Sequence, residues 1–128
     1  MSGSDSRPRI LAVDDDPVIL RLLSHILVPA GYEVLECPGA PEARKALEDG
    51  GISLLITDLN MPGGTGLDLV RALRRGSADL PVIILSGSID EETVRAADDL
   101  GRVLCMGKPL DQALLLRAVR ELAGPRNG

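Results

Sequence analysis

The chain has 128 residues, close to the commonest size of a single domain. Hydrophobic residues make up 45% of it but include no Phe, no Trp and one Tyr, so we expect an aliphatic core. The net charge is −5 and the basic residues are scattered, which argues against direct binding to nucleic acid. No apolar run approaches the ~18 residues of a membrane span, and the start has no signal-peptide stretch, so we expect a soluble cytoplasmic protein that does not enter a membrane.

Five short apolar stretches predict β-strands at residues 10–13, 33–37, 53–57, 82–86 and 102–106. The first, third and fourth are continuous apolar runs, as expected of parallel strands that helices cover on both faces. The second alternates polar and apolar residues, which suits an edge strand. Cys37 and Cys105 lie in the second and fifth stretches, with the spacing of neither a zinc site nor a CxxC redox pair, and we expect both to be buried free thiols.

Helices are predicted after each strand, the first from Pro17 and the others over residues 41–48, 66–74, 90 onward and 111–122. Pro17 suits the first turn of a helix. The fourth helix begins near Asp90 with Glu91 and Glu92 in its first turn, where acidic residues suit the helix dipole. Asp111 is a suitable N-cap for the fifth helix.

The regular alternation of strand and helix predicts an α/β fold with a doubly wound parallel sheet. With five strands and five helices we expect the flavodoxin-like strand order 2-1-3-4-5. That order places the alternating second strand at an edge and makes the first and third strands neighbours. We expect one folded domain over residues 9–122, with flexible ends at residues 1–8 and 123–128, where Gly, Ser and Pro are frequent.

Polar side chains follow four of the predicted strands, at the edge of the sheet where ligands bind in folds of this kind. Ser86 ends the fourth strand, and Lys108 comes just after the fifth. Asp14, Asp15 and Asp58 are expected in one small volume, because the first and third strands are neighbours. Carboxylates at such distances either share a proton or bind a cation.

An acid cluster of this kind fits Mg²⁺, which takes one or two carboxylates together with waters and phosphate oxygens. With Lys108 and the Ser86 hydroxyl opposite, the site is suited to hold a phosphoryl group. In this interpretation Asp58 is the nucleophile, the metal ion reduces its repulsion of the phosphate, and Lys108 and Ser86 hold the other phosphate oxygens. Asp16 is expected to be a capping or surface acid, and His25 a structural or surface residue.

Five stretches occur in order and with regular spacing: ILAVDDDPVILRLL, AGYEVLEC, LLITDLNMPGGTGLDLVRALR, LPVIILSG and MGKPL. Together they make the chain resemble a bacterial response-regulator receiver domain (CheY-like) over about residues 9–122. The resemblance implies that Asp58 accepts a phosphoryl group from the phosphohistidine of a histidine kinase or a phosphotransfer protein. It also implies a signalling switch and no enzyme activity beyond assistance with its own phosphorylation and dephosphorylation.

The resemblance assigns further roles within the acidic site. Ser86 and Lys108 match the hydroxyl and lysine positions of the family, and the Lys108–Pro109 peptide bond is expected to be cis. The implied Mg²⁺ site has two direct carboxylate ligands, one backbone carbonyl and one acid that acts through water: Asp15, Asp58, the carbonyl of Asn60, and Asp14.

Two positions depart from the family pattern, since Cys105 stands where an aromatic residue is usual and Leu110 where Phe is. In the family an aromatic ring turns inward behind the moving hydroxyl residue, and a thiol cannot fill the space of a ring. The output face implied by the resemblance is the fourth helix, fifth strand and fifth helix, which we expect to bind an unknown downstream protein or a second copy of the chain. Leu110 and part of residues 114–116 are candidate docking residues.

Two other functions stay open on the sequence. The first is a docking module with the receiver fold that works without phosphorylation, with Cys105 marking a lost switch. The second is a haloacid-dehalogenase-like phosphatase, because Asp14 and Asp16 have its Asp-x-Asp spacing after the first strand. In that interpretation Asp14 is the nucleophile, and the stretch DLNMPGG has no explanation. The phosphatase would also need a substrate-covering cap domain, for which we expect a chain of this length to have no room.

Overall fold

The computed structural model describes residues 7–61, 64–76 and 79–124. Its strands are β1 (Arg9–Val13), β2 (Glu33–Cys37), β3 (Leu54–Asp58), β4 (Asn60–Met61), β5 (Gly64–Thr65), β6 (Val82–Ser86) and β7 (Val103–Gly107). Its helices are α1 (Pro17–Leu27), α2 (Ala40–Asp49), α3 (Gly66–Arg75), α4 (Glu91–Leu100) and α5 (Gln112–Ala123). All five predicted strands and all five predicted helices are present, with small shifts at their ends.

Five strands form one parallel sheet in the order β2-β1-β3-β6-β7. Because β6 and β7 are the fourth and fifth predicted strands, the flavodoxin-like order 2-1-3-4-5 is confirmed. β3 and β6 are buried along their whole length, whereas β2 at the edge exposes Glu33 and Glu36. Val13 of β1 pairs with Thr57 of β3, so these two strands end at the same edge of the sheet.

Aliphatic side chains pack the helices against both faces of the sheet. On one face, Leu23 of α1 and Leu115 of α5 belong to the core. On the other face, Ala43 of α2 and Leu69 of α3 do so. The aliphatic core predicted from composition is confirmed, with Tyr32 as the one aromatic member at 1% exposure.

Side chains cap four of the five helices in the described chain. Asp90 and Asp111 cap α4 and α5, as predicted. Asp16 caps α1 by accepting a hydrogen bond from a backbone N–H of the first turn at 2.9 Å, which confirms its expected capping role. A capping box of Thr65 and Asp68 begins α3 and was not predicted.

A short antiparallel hairpin of β4 and β5 follows β3 and was not predicted. Each of its strands has two residues, too few to show a periodic pattern in the sequence. The chain then enters α3 at Gly66, whose N–H donates to the carbonyl of Leu59 at 2.8 Å. A Cβ at Gly66 would lie 2.5 Å from the backbone oxygen of Asp58, so the close return of the chain requires glycine at this position.

Replacing Gly66 by Ala is expected to destabilise the fold, because the new methyl group would overlap a backbone atom of the central strand β3. We expect the free energy of unfolding to fall by roughly 1–3 kcal/mol in urea denaturation. Gly76→Ala is the matched control at the other end of α3, where a new Cβ would lie 3.5 Å from its nearest neighbour. Its effect should stay within about 0.5 kcal/mol. Equal stabilities for the two variants would contradict this explanation.

The predicted burial of both thiols is confirmed for Cys37 and wrong for Cys105, which is only partly buried. Cys105 lies in β7, an edge strand with a neighbour on one side only. The predicted strand order already placed the fifth strand at an edge, and this edge position leaves the thiol partly accessible.

The predicted flexible ends, residues 1–8 and 123–128, fall mostly outside the described residues. Of the residues in these segments that the structure describes, Ala123 belongs to α5 and the carbonyl of Pro8 accepts a hydrogen bond from Glu33 at 3.0 Å. Across residues 7–61, 64–76 and 79–124, every helix is too short or too polar to cross a membrane.

Candidate functional site

The three acids predicted to meet do so at the carboxyl ends of β1 and β3. Asp14 follows β1 directly, and Asp58 ends β3. Carboxylate oxygens of Asp14, Asp15 and Asp58 all lie within 4.8 Å of one another. Asp14 is 1% exposed and Asp58 is 9% exposed, whereas Asp15 is open to solvent. These acids and Lys108 are called the acidic pocket below.

Lys108 supplies the positive charge of the acidic pocket. It follows β7, and its Nζ donates to Asp58 Oδ1 at 3.1 Å and to Asp14 Oδ2 at 3.2 Å. Burial disfavours the ammonium, but the hydrogen bonds to Asp58 and Asp14 outweigh burial and raise the pKa of Lys108. The lysine is therefore charged at neutral pH and bridges the carboxylates of two strands.

Asp14 is the most enclosed acid of the pocket. Its Oδ1 accepts a hydrogen bond from the backbone N–H of Asp16 at 2.9 Å, and its Oδ2 accepts one from Lys108. Burial raises the pKa of Asp14 and the charge of Asp58 adds to the rise, so the two hydrogen bonds compensate only in part. Three carboxylates with one lysine leave negative charge in excess, and their oxygen atoms are the ligands that Mg²⁺ prefers.

Ser86 and Asn60 follow the acids at the same edge of the sheet. Ser86 is 3% exposed, and its hydroxyl donates to the carbonyl of Ser88 at 2.8 Å and accepts from the N–H of Ser88 at 3.1 Å. The hydroxyl is thus engaged within its own loop in this structure. Asn60 lies in the first strand of the hairpin, two residues after Asp58, and is exposed.

Backbone and buried groups that the sequence does not point to help to position the acids. The Thr57 hydroxyl donates to the backbone carbonyl of Asp58 at 3.0 Å inside the sheet. The N–H of Asp16 that orients Asp14 is a backbone donor, and backbone donors leave no side-chain signal in a sequence. The Lys108–Pro109 peptide bond is cis, as the resemblance implied.

Two expectations concern residues outside the pocket. His25 is exposed on α1, in keeping with a surface residue. Of the candidate docking residues, Leu114 is 52% exposed, while Leu110 and Leu116 are partly buried and Leu115 is fully buried. The accessible apolar surface of α5 is therefore centred on Leu114.

Comparison with known proteins identifies the family. The sequence model of the response regulator receiver domain matches residues 10–120. The chain belongs to this family. The receiver domain is 34% identical over 119 residues to the sensory/regulatory protein RpfC of Xanthomonas campestris pv. campestris, an alignment that covers 90% of this chain and 16% of RpfC. It is 31% identical over 121 residues to the phosphate regulon transcriptional regulatory protein PhoB of Pseudomonas aeruginosa, covering 91% of this chain and 53% of PhoB.

Solved structures agree with the family. The chemotaxis protein CheY4 of Vibrio cholerae superposes with a TM-score of 0.85 at 30% identity, over 91% of this receiver domain and 98% of CheY4. The receiver domain thus spans about half or less of the two curated relatives named above and nearly all of CheY4.

The chain is therefore a phosphoacceptor domain of two-component signalling. Receiver domains bind Mg²⁺ at an acidic pocket, and Asp14, Asp15 and Asp58 form such a cluster here. The haloacid-dehalogenase-like alternative loses its support, because the second acid of the Asp-x-Asp pair, Asp16, caps α1.

Proposed function

We propose that Asp58 is the residue of this receiver domain that accepts the phosphoryl group. The single observation that carries the proposal is its position: Asp58 ends the central strand β3, with other carboxylates within 4.8 Å and the Lys108 ammonium at 3.1 Å. A carboxylate oxygen of Asp58 attacks the phosphorus of a phosphohistidine, and the new O–P bond forms as the N–P bond breaks. The donor is a histidine kinase or a phosphotransfer protein.

The residues present fit Mg²⁺ as the partner of this reaction. Asp15 and Asp58 would bind the ion directly, the backbone carbonyl of Asn60 would be a further ligand, and Asp14 would act through water. When bound, the ion reduces the repulsion between the Asp58 carboxylate and the incoming phosphate. Burial, and to a smaller extent the charge of Asp58, raises the pKa of Asp14, and a bound cation would favour the ionised carboxylate there, which supports this assignment.

Lys108 and Ser86 would hold the phosphoryl oxygens that the metal does not bind. Lys108 already donates to Asp58, so a small movement lets its ammonium reach a phosphate oxygen on that residue. The Ser86 hydroxyl donates to Ser88 in the unmodified protein, and that hydrogen bond must break before Ser86 can donate to a phosphoryl oxygen. Phosphorylation therefore changes the loop between β6 and α4.

The output surface we propose is formed by α4, β7 and α5. It carries partly exposed apolar side chains on each of its three elements, Val94, Leu104 and Leu114. Its partner is a downstream protein or a second copy of the domain, and the reaction takes place in the cytoplasm. The domain assists its own phosphorylation and dephosphorylation and catalyses no other turnover.

A second candidate function, docking without phosphorylation, rests on Cys105. This residue is partly buried in β7, on the proposed output surface, where the family usually has an aromatic residue. If the switch is lost, the surface of α4, β7 and α5 would have the same conformation whether or not Asp58 is modified.

The wild-type protein tests the proposed function when it is incubated with acetyl phosphate. We expect one phosphoryl group per chain in the presence of Mg²⁺ and a rate at least about tenfold lower with EDTA, because the carboxylates then repel the phosphate donor. Borohydride reduction converts the modified aspartate to homoserine, and peptide mass spectrometry should find homoserine at position 58. Modification at another residue, or at the same rate with EDTA, would refute the assignment.

A further inference from the structure

The two ends of α4 are attached to the rest of the domain in different ways. α4 buries two small side chains, Thr93 and Ala97, so apolar packing holds it only weakly. At its C-terminal end it receives hydrogen bonds from another helix. The guanidinium of Arg74 in α3 donates from Nε to the carbonyl of Leu100 at 3.2 Å and from Nη2 to the carbonyl of Gly101 at 2.7 Å.

The contacts of Arg74 meet a specific need of a helix C-terminus. The last carbonyls of a helix have no partner within the helix, and the helix dipole makes this end negative. A guanidinium stabilises both the unpaired carbonyls and the dipole. These bonds link residues 26 and 27 positions apart in sequence, so they tie α4 to α3 and do not merely extend α4.

A second arginine secures the turn that follows. Gly101 and Arg102 are both left-handed, with φ of 78° and 56°. The guanidinium of Arg102 donates to the backbone oxygen of Asp79 at 2.8 Å and to its carboxylate at 3.2 Å, and the carbonyl of Arg102 accepts from the N–H of Val82 at 3.0 Å. The turn between α4 and β7 is thereby held against the segment that leads into β6. We call the contacts of Arg74 and Arg102 the arginine clasp.

The other end of α4, next to the acidic pocket, is held by short-range bonds. Residues 87–90 are exposed. The side-chain hydrogen bonds there join Ser86 to Ser88 and Asp90 to Thr93, residues two and three positions apart. Because these bonds are local, residues 87–90 and the first turn of α4 can move together without breaking a contact to another helix. The arginine clasp, in contrast, anchors the opposite end of α4 to α3 and to the segment before β6.

We propose that the arginine clasp is the hinge of α4, so that occupancy of the acidic pocket displaces α4 at its pocket end and leaves its clasp end in place. The inference rests on the proposed function, in which Ser86 leaves Ser88 to donate to a phosphoryl group. Loss of that bond releases the loop before Asp90. The displacement reaches two exposed apolar residues, Ile89 in the loop before α4 and Val94 in its first half, and stops before Leu100.

The test measures backbone amides of the intact protein by NMR, without and with beryllofluoride and Mg²⁺ as a phosphoryl mimic. In the wild type we expect amide shift changes from Ser86 to Val94 and none at Gly101 and Arg102. The N–H of Gly101 bonds to the carbonyls of Ala97 and Asp98 at 3.2 Å, so its exchange reports whether the C-terminal end of α4 stays formed beside the clasp. Arg74→Met should speed its hydrogen exchange about tenfold, and should let the beryllofluoride response extend to Gly101.

Two further variants complete the design. Arg71→Met is the matched control, because Arg71 lies in the same helix and bonds to Asp68 within it, so it should behave as wild type. Arg102→Gly removes the contact with Asp79 while keeping a residue that adopts a left-handed backbone, and it should extend the response as Arg74→Met does. This second variant keeps the test decisive if Arg74→Met does not fold.

The outcomes separate the hinge from the proposed function. A wild-type response that already includes Gly101 and Arg102 would overturn the hinge, as would clasp variants in which the response still stops before Leu100. If beryllofluoride changes nothing at Ser86, the hinge fails together with the proposed movement of Ser86, whereas the acetyl phosphate experiment decides separately whether Asp58 accepts the phosphoryl group. Unchanged exchange of Gly101 in Arg74→Met overturns the clasp even when Ser86 responds.

Discussion

Asp58→Asn is expected to abolish phosphorylation by acetyl phosphate, a loss of at least about a thousandfold in rate. The amide has nearly the shape of the carboxylate and fits the same place at the end of β3, but its oxygen is a poor nucleophile toward phosphorus. The excess negative charge of the pocket also falls, so the variant should be no less stable than the wild type without metal. Intact-mass measurement of phosphorylated protein over time gives the rates.

The matched control is Asp16→Asn. Asp16 belongs to the same run of three acids, but its side chain caps α1, and Asn caps a helix as well as Asp does. This variant should be phosphorylated at the wild-type rate. Persistent phosphorylation of Asp58→Asn, or an equal loss in both variants, would show that the acceptor lies elsewhere.

Lys108→Met is expected to lower the free energy of unfolding by roughly 1–3 kcal/mol at about pH 7 without Mg²⁺. The variant leaves Asp14, which is 1% exposed, without its ammonium partner, and the carboxylates of Asp14 and Asp58 without a charge between them. Lys108 itself is partly solvated, with 23% of its side chain exposed, which keeps the effect below that of a fully buried pair. Urea denaturation measures it.

The destabilisation caused by Lys108→Met should depend on pH in one direction. Burial already raises the pKa of Asp14 in the folded state, and removing Lys108 takes away a hydrogen bond that lowers it. An acid with a raised folded pKa favours folding below its ordinary pKa, and that advantage is lost as pH rises through the folded value. The stability gap between Lys108→Met and wild type should therefore be small near about pH 4 and widest near about pH 7.

Lys45→Met is the matched control for charge removal, because Lys45 is the other lysine of the chain and is exposed on α2. It should change the stability by less than about 0.5 kcal/mol at either pH. A gap for Lys108→Met that does not depend on pH would mean that lost packing, and not the charge of Asp14, causes the destabilisation.

Much of the fold follows from the sequence because its signals are local. Continuous apolar runs at 53–57 and 82–86 predict central parallel strands, and β3 and β6 are indeed buried throughout. The alternating stretch 33–37 predicts an edge strand, and β2 is at the edge. Since all strands of a parallel sheet end at one edge, the order 2-1-3-4-5 suffices to bring Asp14, Asp15 and Asp58 together.

The sequence separates Asp16, a suitable helix cap, from its neighbours, but it does not show how differently Asp14 and Asp15 are buried. Asp14, Asp15 and Asp16 are adjacent, yet Asp14 is buried against Lys108, Asp15 is open to solvent, and Asp16 caps α1. These environments differ because the three side chains leave the turn after β1 in different directions. Which direction leads into the pocket depends on where β3 and Lys108 lie. The partial exposure of Cys105 has the same origin, since it reflects a missing neighbour strand and not a property of its own segment.

By itself the sequence determined the five strands of the parallel sheet, the five helices and the residues that gather at the carboxyl edge of the sheet. Apolar periodicity is a local property of the chain, and the alternation of strand and helix favours one strand order. Tertiary structure alone decided which partner each polar group takes. Ser86 bonds to Ser88, Lys108 bridges two carboxylates, and Arg74 reaches from one helix to the end of another. Such contacts depend on side-chain directions and distances of a few ångströms between segments far apart in sequence, and these arise only when the helices have packed on the sheet.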